Sequence, residues 1–140
     1  MALKAKRYDV WTATIEDRAG GAAAVLEKLA KAKISLDMMF ARRLPEQPGS
    51  GMLVVGPIKG KKAEAAALAA GVAKTGVMHG VKIEGGDKPG LGAKITRVLG
   101  DAGISFRGIS ADVIGRKFVC HLALDSPQDA DRAATLLRKL

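Results

Sequence analysis

Glu84-Gly-Gly-Asp87-Lys-Pro-Gly90-Leu-Gly-Ala-Lys-Ile95-Thr-Arg-Val-Leu99-Gly-Asp-Ala-Gly103-Ile-Ser-Phe106 decides the fold. It reads as a strand end, a glycine-rich turn, one amphipathic helix and the entry to a second strand. Asp87 stands where an N-cap is wanted, and Pro89 suits a first helical turn, where a missing N–H costs nothing. Leu91, Ile95, Val98, Leu99 and Ala102 recur at helical spacing and define one apolar face. Gly103 occupies the left-handed position that closes a helix, and β-branched Ile104 leads into an extended run. A helix that starts after flexible glycines offers backbone N–H groups and a positive dipole end, which suits a carboxylate.

The same pattern occurs seventy positions earlier. Asp17 falls on Asp87, Gly20 on Gly90, Ala23 on Ala93, Leu29 on Leu99, Ala32 on Ala102, Ile34 on Ile104 and Ser35 on Ser105. Turn, helix face and strand entry coincide together, so the chain reads as a duplicated βαββα unit. In order, strands are expected over 9–15, 34–43, 52–58, 77–84, 104–114 and 117–124. Helices are expected to about Ala32, over 61–74 with Gly76 as the stop, over the quoted stretch, and from Asp125-Ser126-Pro127 onward. The units divide as 1–76 and 77–140, the second without its own C-terminal edge strand.

Antiparallel strands with helices crossing back imply an α+β fold of two ferredoxin-like units, helices on one sheet face. Each such unit normally ends on a fourth strand beside its first. Here one sheet edge is left without a partner, a liability that a second chain would cover to give a homodimer. The rival arrangement is one strand shared between the two sheets.

With 140 residues, nearly half apolar and only five aromatic, the chain can bury a core of small aliphatic side chains. One cysteine excludes an internal disulfide and fits a reducing compartment. No apolar run reaches the roughly 18–20 residues of a membrane span, and no secretory signal is evident, so a cytoplasmic protein that avoids membranes is expected. The charge of +9 permits attraction to nucleic acid, but the basic residues are scattered. Lys117-Phe118-Val119 lacks the second aromatic of a base-stacking platform, which disfavours a nucleic-acid partner.

His79 and His121 stand on separate strands, and alternation places Cys120 and His121 on opposite sheet faces. No spacing suits a metal, no nucleophile–base pattern is present, and the glycines lack the context of a dinucleotide site. The reading is therefore no enzyme, no cofactor and no metal.

Asp87-Lys-Pro-Gly-Leu-Gly-Ala-Lys-Ile95, with Leu99 and Ala102-Gly-Ile-Ser105, closely resembles the ACT domain, a βαββαβ regulatory module of amino-acid metabolism. Asp17-Arg-Ala-Gly20 with Ile34-Ser-Leu-Asp-Met38 looks like a second copy, similar to the regulatory segments of aspartate kinases. The resemblance covers nearly everything after Tyr8 and implies a free-standing tandem ACT protein with a regulated enzyme or regulator as partner. It also implies an amino-acid-like ligand at an interface between modules. Carried over by position, the ligand residues are Asp87, Lys88, Pro89, Gly90 and Leu91 with Ile104, Ser105 and Phe106. Their first-unit counterparts are Asp17, Arg18, Ala19, Gly20 and Gly21 with Ile34, Ser35 and Leu36. Many ligand-binding members carry asparagine where Ser35 and Ser105 stand. The alternatives are a ligand-free dimeric assembly module and a weak basic nucleic-acid binder.

Overall fold

The structure is a computed structural model, described over residues 2–140. Its elements run β1 (Lys4–Glu16), α1 (Gly21–Lys31), β2 (Met38–Arg43), β3 (Ser50–Gly56), α2 (Lys61–Ala69), β4 (Ala73–Gly86), α3 (Leu91–Asp101), β5 (Phe106–Ile114), β6 (Lys117–Leu124) and α4 (Pro127–Leu137). Two compact units form: Asp9–Thr75, and Gly76–Leu140 together with residues 2–8.

In the unit Asp9–Thr75 the hydrogen-bonded order is β2-β3-β1, followed by the first residues of β4. β3 is antiparallel to both neighbours, pairing Val55 with Trp11 on one side and with Met39 on the other. Trp11, Ala13, Leu53 and Val55 turn the same way and bury themselves with Leu29 of α1 and Ala67 of α2. Alternation along the strands puts one apolar set under the helices. Asp9 and Trp11 meet the start of β4 through Lys74, whose Nζ lies 3.3 Å from the Asp9 carboxylate and 5.9 Å from the indole centroid.

The other unit has the order β1-β4-β6-β5, with β6 antiparallel to β4 and to β5. Val81, Ile83, Cys120, Leu122 and Leu124 face α3 and α4, where Ile95, Leu99, Ala133 and Leu137 close the core. Two glycines of β4 make room for side chains of β1. A Cβ on Gly80 would come within 2.5 Å of the Tyr8 ring, and one on Gly85 within 2.5 Å of the end of the Leu3 side chain.

The first strand, expected over 9–15, therefore starts earlier, at Lys4. Lys4 to Tyr8 lie beside β4 and fill the edge that the sequence left open for a second chain. The strands that remain terminal in the order are β2 and β5.

Boundaries moved where backbone geometry overruled composition. α2 ends at Ala69 because Gly71 adopts φ 85° and its N–H closes on Leu68 O. Ala73 and Lys74, read as the end of the alanine-rich helix, open β4. β2 begins at Met38, not at Ile34, whose N–H instead caps α1 by bonding Leu29 O at 3.2 Å.

The two βα turns are built alike. Gly20 has φ 86° and Gly90 φ 84°, each the residue before its helix. Both helices close on the same pair of bonds: Lys33 N–H to Ala30 O with Ile34 N–H to Leu29 O, and Gly103 N–H to Gly100 O with Ile104 N–H to Leu99 O. That pair is the Schellman closure, which demands a left-handed residue after the last helical one. Gly103 meets the demand at φ 71°, and Lys33 meets it at φ 57° despite its side chain.

Candidate functional site

α3 begins at Leu91, and its cap is Gly90, not Asp87. The correction has a local cause. The Asp87 N–H is fixed to Arg116 O at 2.9 Å, three residues ahead of the cap, so the chain needs Lys88 to Gly90 to turn into the helix. Pro89 consequently lies in the turn, outside the helix. The Leu91 N–H, expected to be open to a ligand, bonds Lys88 O at 3.3 Å, and the Gly21 N–H bonds Arg18 O at 3.0 Å. The first intrahelical bonds are made by Lys94 and Ala24. Among the described residues, no cap side chain or backbone carbonyl takes the N–H groups of Gly92 and Ala93. α4 shows the contrast, since Ser126 Oγ accepts from the Asp129 N–H at 3.1 Å.

The two acidic turn residues differ. Arg43 Nε sits 2.9 Å from Asp17 Oδ2, so the first-unit carboxylate is engaged by β2. Arg18 is bound to Glu16 and donates to Ala19 O. Asp87 and Lys88 are exposed, and among the described residues neither forms an ion pair. Ile104 is buried in the core while Ser105 and Phe106 are exposed; Ile34 and Leu36 are half-buried beside an exposed Ser35.

The structure does not bring the two halves of either candidate site together within a unit. Gly86, leading into the Asp87 turn, pairs with Lys117 at the start of β6, whereas Phe106 pairs with Leu124 at its end. At about 3.3 Å per residue the two lie roughly 20 Å apart. The first unit repeats this: Glu16 pairs with Ser50 at one end of β3, and Met38 with Gly56 at the other.

On the sheet face away from the helices of the second unit, Glu84 sits between Lys117 at 2.6 Å and Lys82 at 2.9 Å. The Lys117 bond and then the Lys82 bond hold its carboxyl down at about 2. Tyr8 stands edge-on to His121, with centroids 5.9 Å apart, and burial pushes its phenol up. Cys120 points the other way into the core, and burial pushes its thiol up to about 11. A raised thiol is a poor nucleophile. Among the described residues no three His, Cys, Asp or Glu side chains gather to hold a metal, and no helix is long and apolar enough to cross a membrane.

Sequence reasoning missed the apolar character of β5. Its residues Ile109, Val113 and Ile114 are 39%, 51% and 70% exposed. Its signal was present in a strand with apolar residues on both faces, since Val113 and Ile114 are adjacent.

No family model matches the chain, and no curated protein matches it. Solved structures do match. A protein of Bacteroides thetaiotaomicron is 21% identical with a TM-score of 0.75, covering 96% of this chain and 89% of that one. The ligand-free regulatory subunit of aspartate kinase from Thermus thermophilus is 18% identical with a TM-score of 0.69, covering 99% and 96%. Escherichia coli aspartokinase III in complex with aspartate and ADP is 18% identical with a TM-score of 0.64; this chain is covered to 98%, and that enzyme to 32%. At such identities the likeness speaks for architecture, and it agrees with the turn, helix and strand pattern of the sequence: the chain has the ACT-type fold of aspartate kinase regulatory segments.

Proposed function

We propose that this chain is a non-catalytic regulatory module that binds a small amino-acid-like ligand at the Asp87 turn. A homodimer formed through sheet edges and a regulated enzyme as partner belong to the same reading, as does a cytoplasmic setting, suggested by a single unpaired cysteine. The observation that carries it is the start of α3. The N–H groups of Gly92 and Ala93 are uncapped, and the exposed carboxylate of Asp87 stands in the turn before them. Amides at a helix start suit a ligand carboxylate, and Asp87 suits its ammonium. In the first unit Arg43 already occupies Asp17, which favours the second unit for binding.

Regulation follows if the ligand binds one arrangement of chains better than another. A thermal-shift panel of the twenty common amino acids tests the reading. One of them should raise Tm by several degrees, and Asp87→Ala should abolish the rise. Silence across the panel overturns ligand sensing and leaves the assembly reading, which the uncovered strands β2 and β5 favour. Binding of single-stranded RNA that weakens steeply between low and moderate salt would instead support the nucleic-acid reading.

A further inference from the structure

We propose that β2 captures an extended segment of a partner protein as an added antiparallel strand. That segment carries acidic side chains on one face and small apolar ones on the other. The inference rests on the reading of a regulated enzyme as partner, and it names where and by what chemistry that partner is held.

β2 ends the strand order of its unit. The bond from Leu44 N–H to Ser50 O at 3.0 Å sets the alternation of its ladder with β3. Phe40 and Arg42 therefore direct their N–H and C=O groups to β3, whereas those of Met39, Ala41 and Arg43 point away from it. The Arg43 carbonyl accepts from Arg42 Nη1 at 3.3 Å, a local substitute for a strand that is not there. Such a row of outward backbone groups is a template for a further strand.

The side chains select what is added. Met39 and Ala41 pair with Val55 and Leu53, so they share the face that packs under the helices, and Met39 is 55% exposed. Phe40 and Arg42 pair with Val54 and Met52 on the other face. Arg43 is engaged by Asp17 at 2.9 Å, but among the described residues Arg42 forms no ion pair. A strand that sets small apolar residues against Met39 and Ala41 thus turns its alternate residues toward Arg42, where carboxylates fit.

Charge also decides against the other occupants. β2 carries no acidic residue, so a second copy added there would bring Arg42 and Arg43 of both chains to one short edge. The other terminal strand, β5, carries Arg107 and Asp112 and has no net charge with which to choose an acidic segment.

Fluorescence anisotropy on the full chain tests this with an end-capped, fluorescein-labelled peptide of alternating glutamate and valine. About eight residues suffice to span the strand at roughly 3.3 Å each. The peptide should bind, and its lysine–valine counterpart should bind roughly tenfold more weakly. A glutamate–valine peptide N-methylated at its valines keeps its charge but loses the N–H groups that face β2, and it should not bind. Ala41→Pro removes one outward N–H and leaves the β3 ladder intact, as proline does on an edge, so it should abolish capture. Arg42→Glu should reverse the preference toward the lysine–valine peptide, which a loss of folding cannot imitate. Equal binding of the N-methylated peptide overturns strand addition, and equal binding of the two charge types overturns the acidic class. No binding of the glutamate–valine peptide overturns both. A parent dimer in light scattering that Ala41→Pro converts to a monomer places a second copy on β2 and overturns the proposal. The amino-acid thermal shift, read on the same variants, separates the two readings. Failed capture with the shift retained overturns docking at β2 alone, and capture beside a silent amino-acid panel overturns ligand sensing alone.

Discussion

Replacing Glu84 with glutamine should flatten the acid sensitivity of the fold, by an amount that follows from its two lysines. The carboxyl is lowered from 4.5 to about 2, first by the Lys117 bond at 2.6 Å and then by the Lys82 bond at 2.9 Å. Because the folded value lies below the unfolded one, the stabilisation is fully present above about pH 5. It fades as pH falls through 4.5 toward 2. Fully realised, that gap corresponds to about 3 kcal/mol. The Glu84 side chain is 23% exposed and Lys117 is more so, which screens the pair and reduces the expected contribution to about 1–2 kcal/mol. Roughly half of this should be gone by pH 3. Urea unfolding of the parent and of Glu84→Gln at pH 6 and pH 3 measures it. The parent should lose about 1 kcal/mol more than the variant across that interval, after the other carboxylates cancel between the two proteins. Lys117→Met should weaken the effect more than Lys82→Met, because the shorter bond dominates. Equal acid losses in parent and variant would show that Glu84 is solvated like an ordinary surface carboxylate, and the reasoning would fail.

Lys33→Gly should stabilise the chain by about 0.5–1 kcal/mol. It removes a side chain from φ 57°, and the extra unfolded-state freedom of glycine offsets part of the gain. Gly103→Lys should cost about as much, and a Tm that falls for Lys33→Gly contradicts the shared closure of the two helices. Ser126→Ala removes the 3.1 Å cap on the Asp129 N–H and should cost about 1 kcal/mol. An unchanged urea midpoint would mean that water replaces the cap without loss.

Much of the fold was legible because local chemistry and tertiary packing agree at the repeated turns. Gly20 and Gly90 need left-handed backbone, and Leu29 and Leu99 need burial; both needs are written in residue type and spacing. Reading failed where two signals competed. Leu3 and Ala5 alternate with Lys4 and Lys6 as a half-buried strand should, yet among so many lysines the strand was expected to start only at Asp9. Ala73 and Lys74 continue an alanine-rich run, and only Gly71 shows that the helix has already ended. Asp87 fits a cap by type, yet its amide is fixed to Arg116, far along the chain, and the turn completes itself on Gly90. Such a partner cannot be read from local spacing.

The division of the candidate site follows from connectivity and needs no detail of side chains. A strand, a returning helix and a second strand parallel to the first place the turn before the helix and the turn after it at opposite ends of the sheet. Residues carried by both turns therefore cannot close on one small ligand inside a single unit. The register of β6 with its two neighbours shows that separation directly.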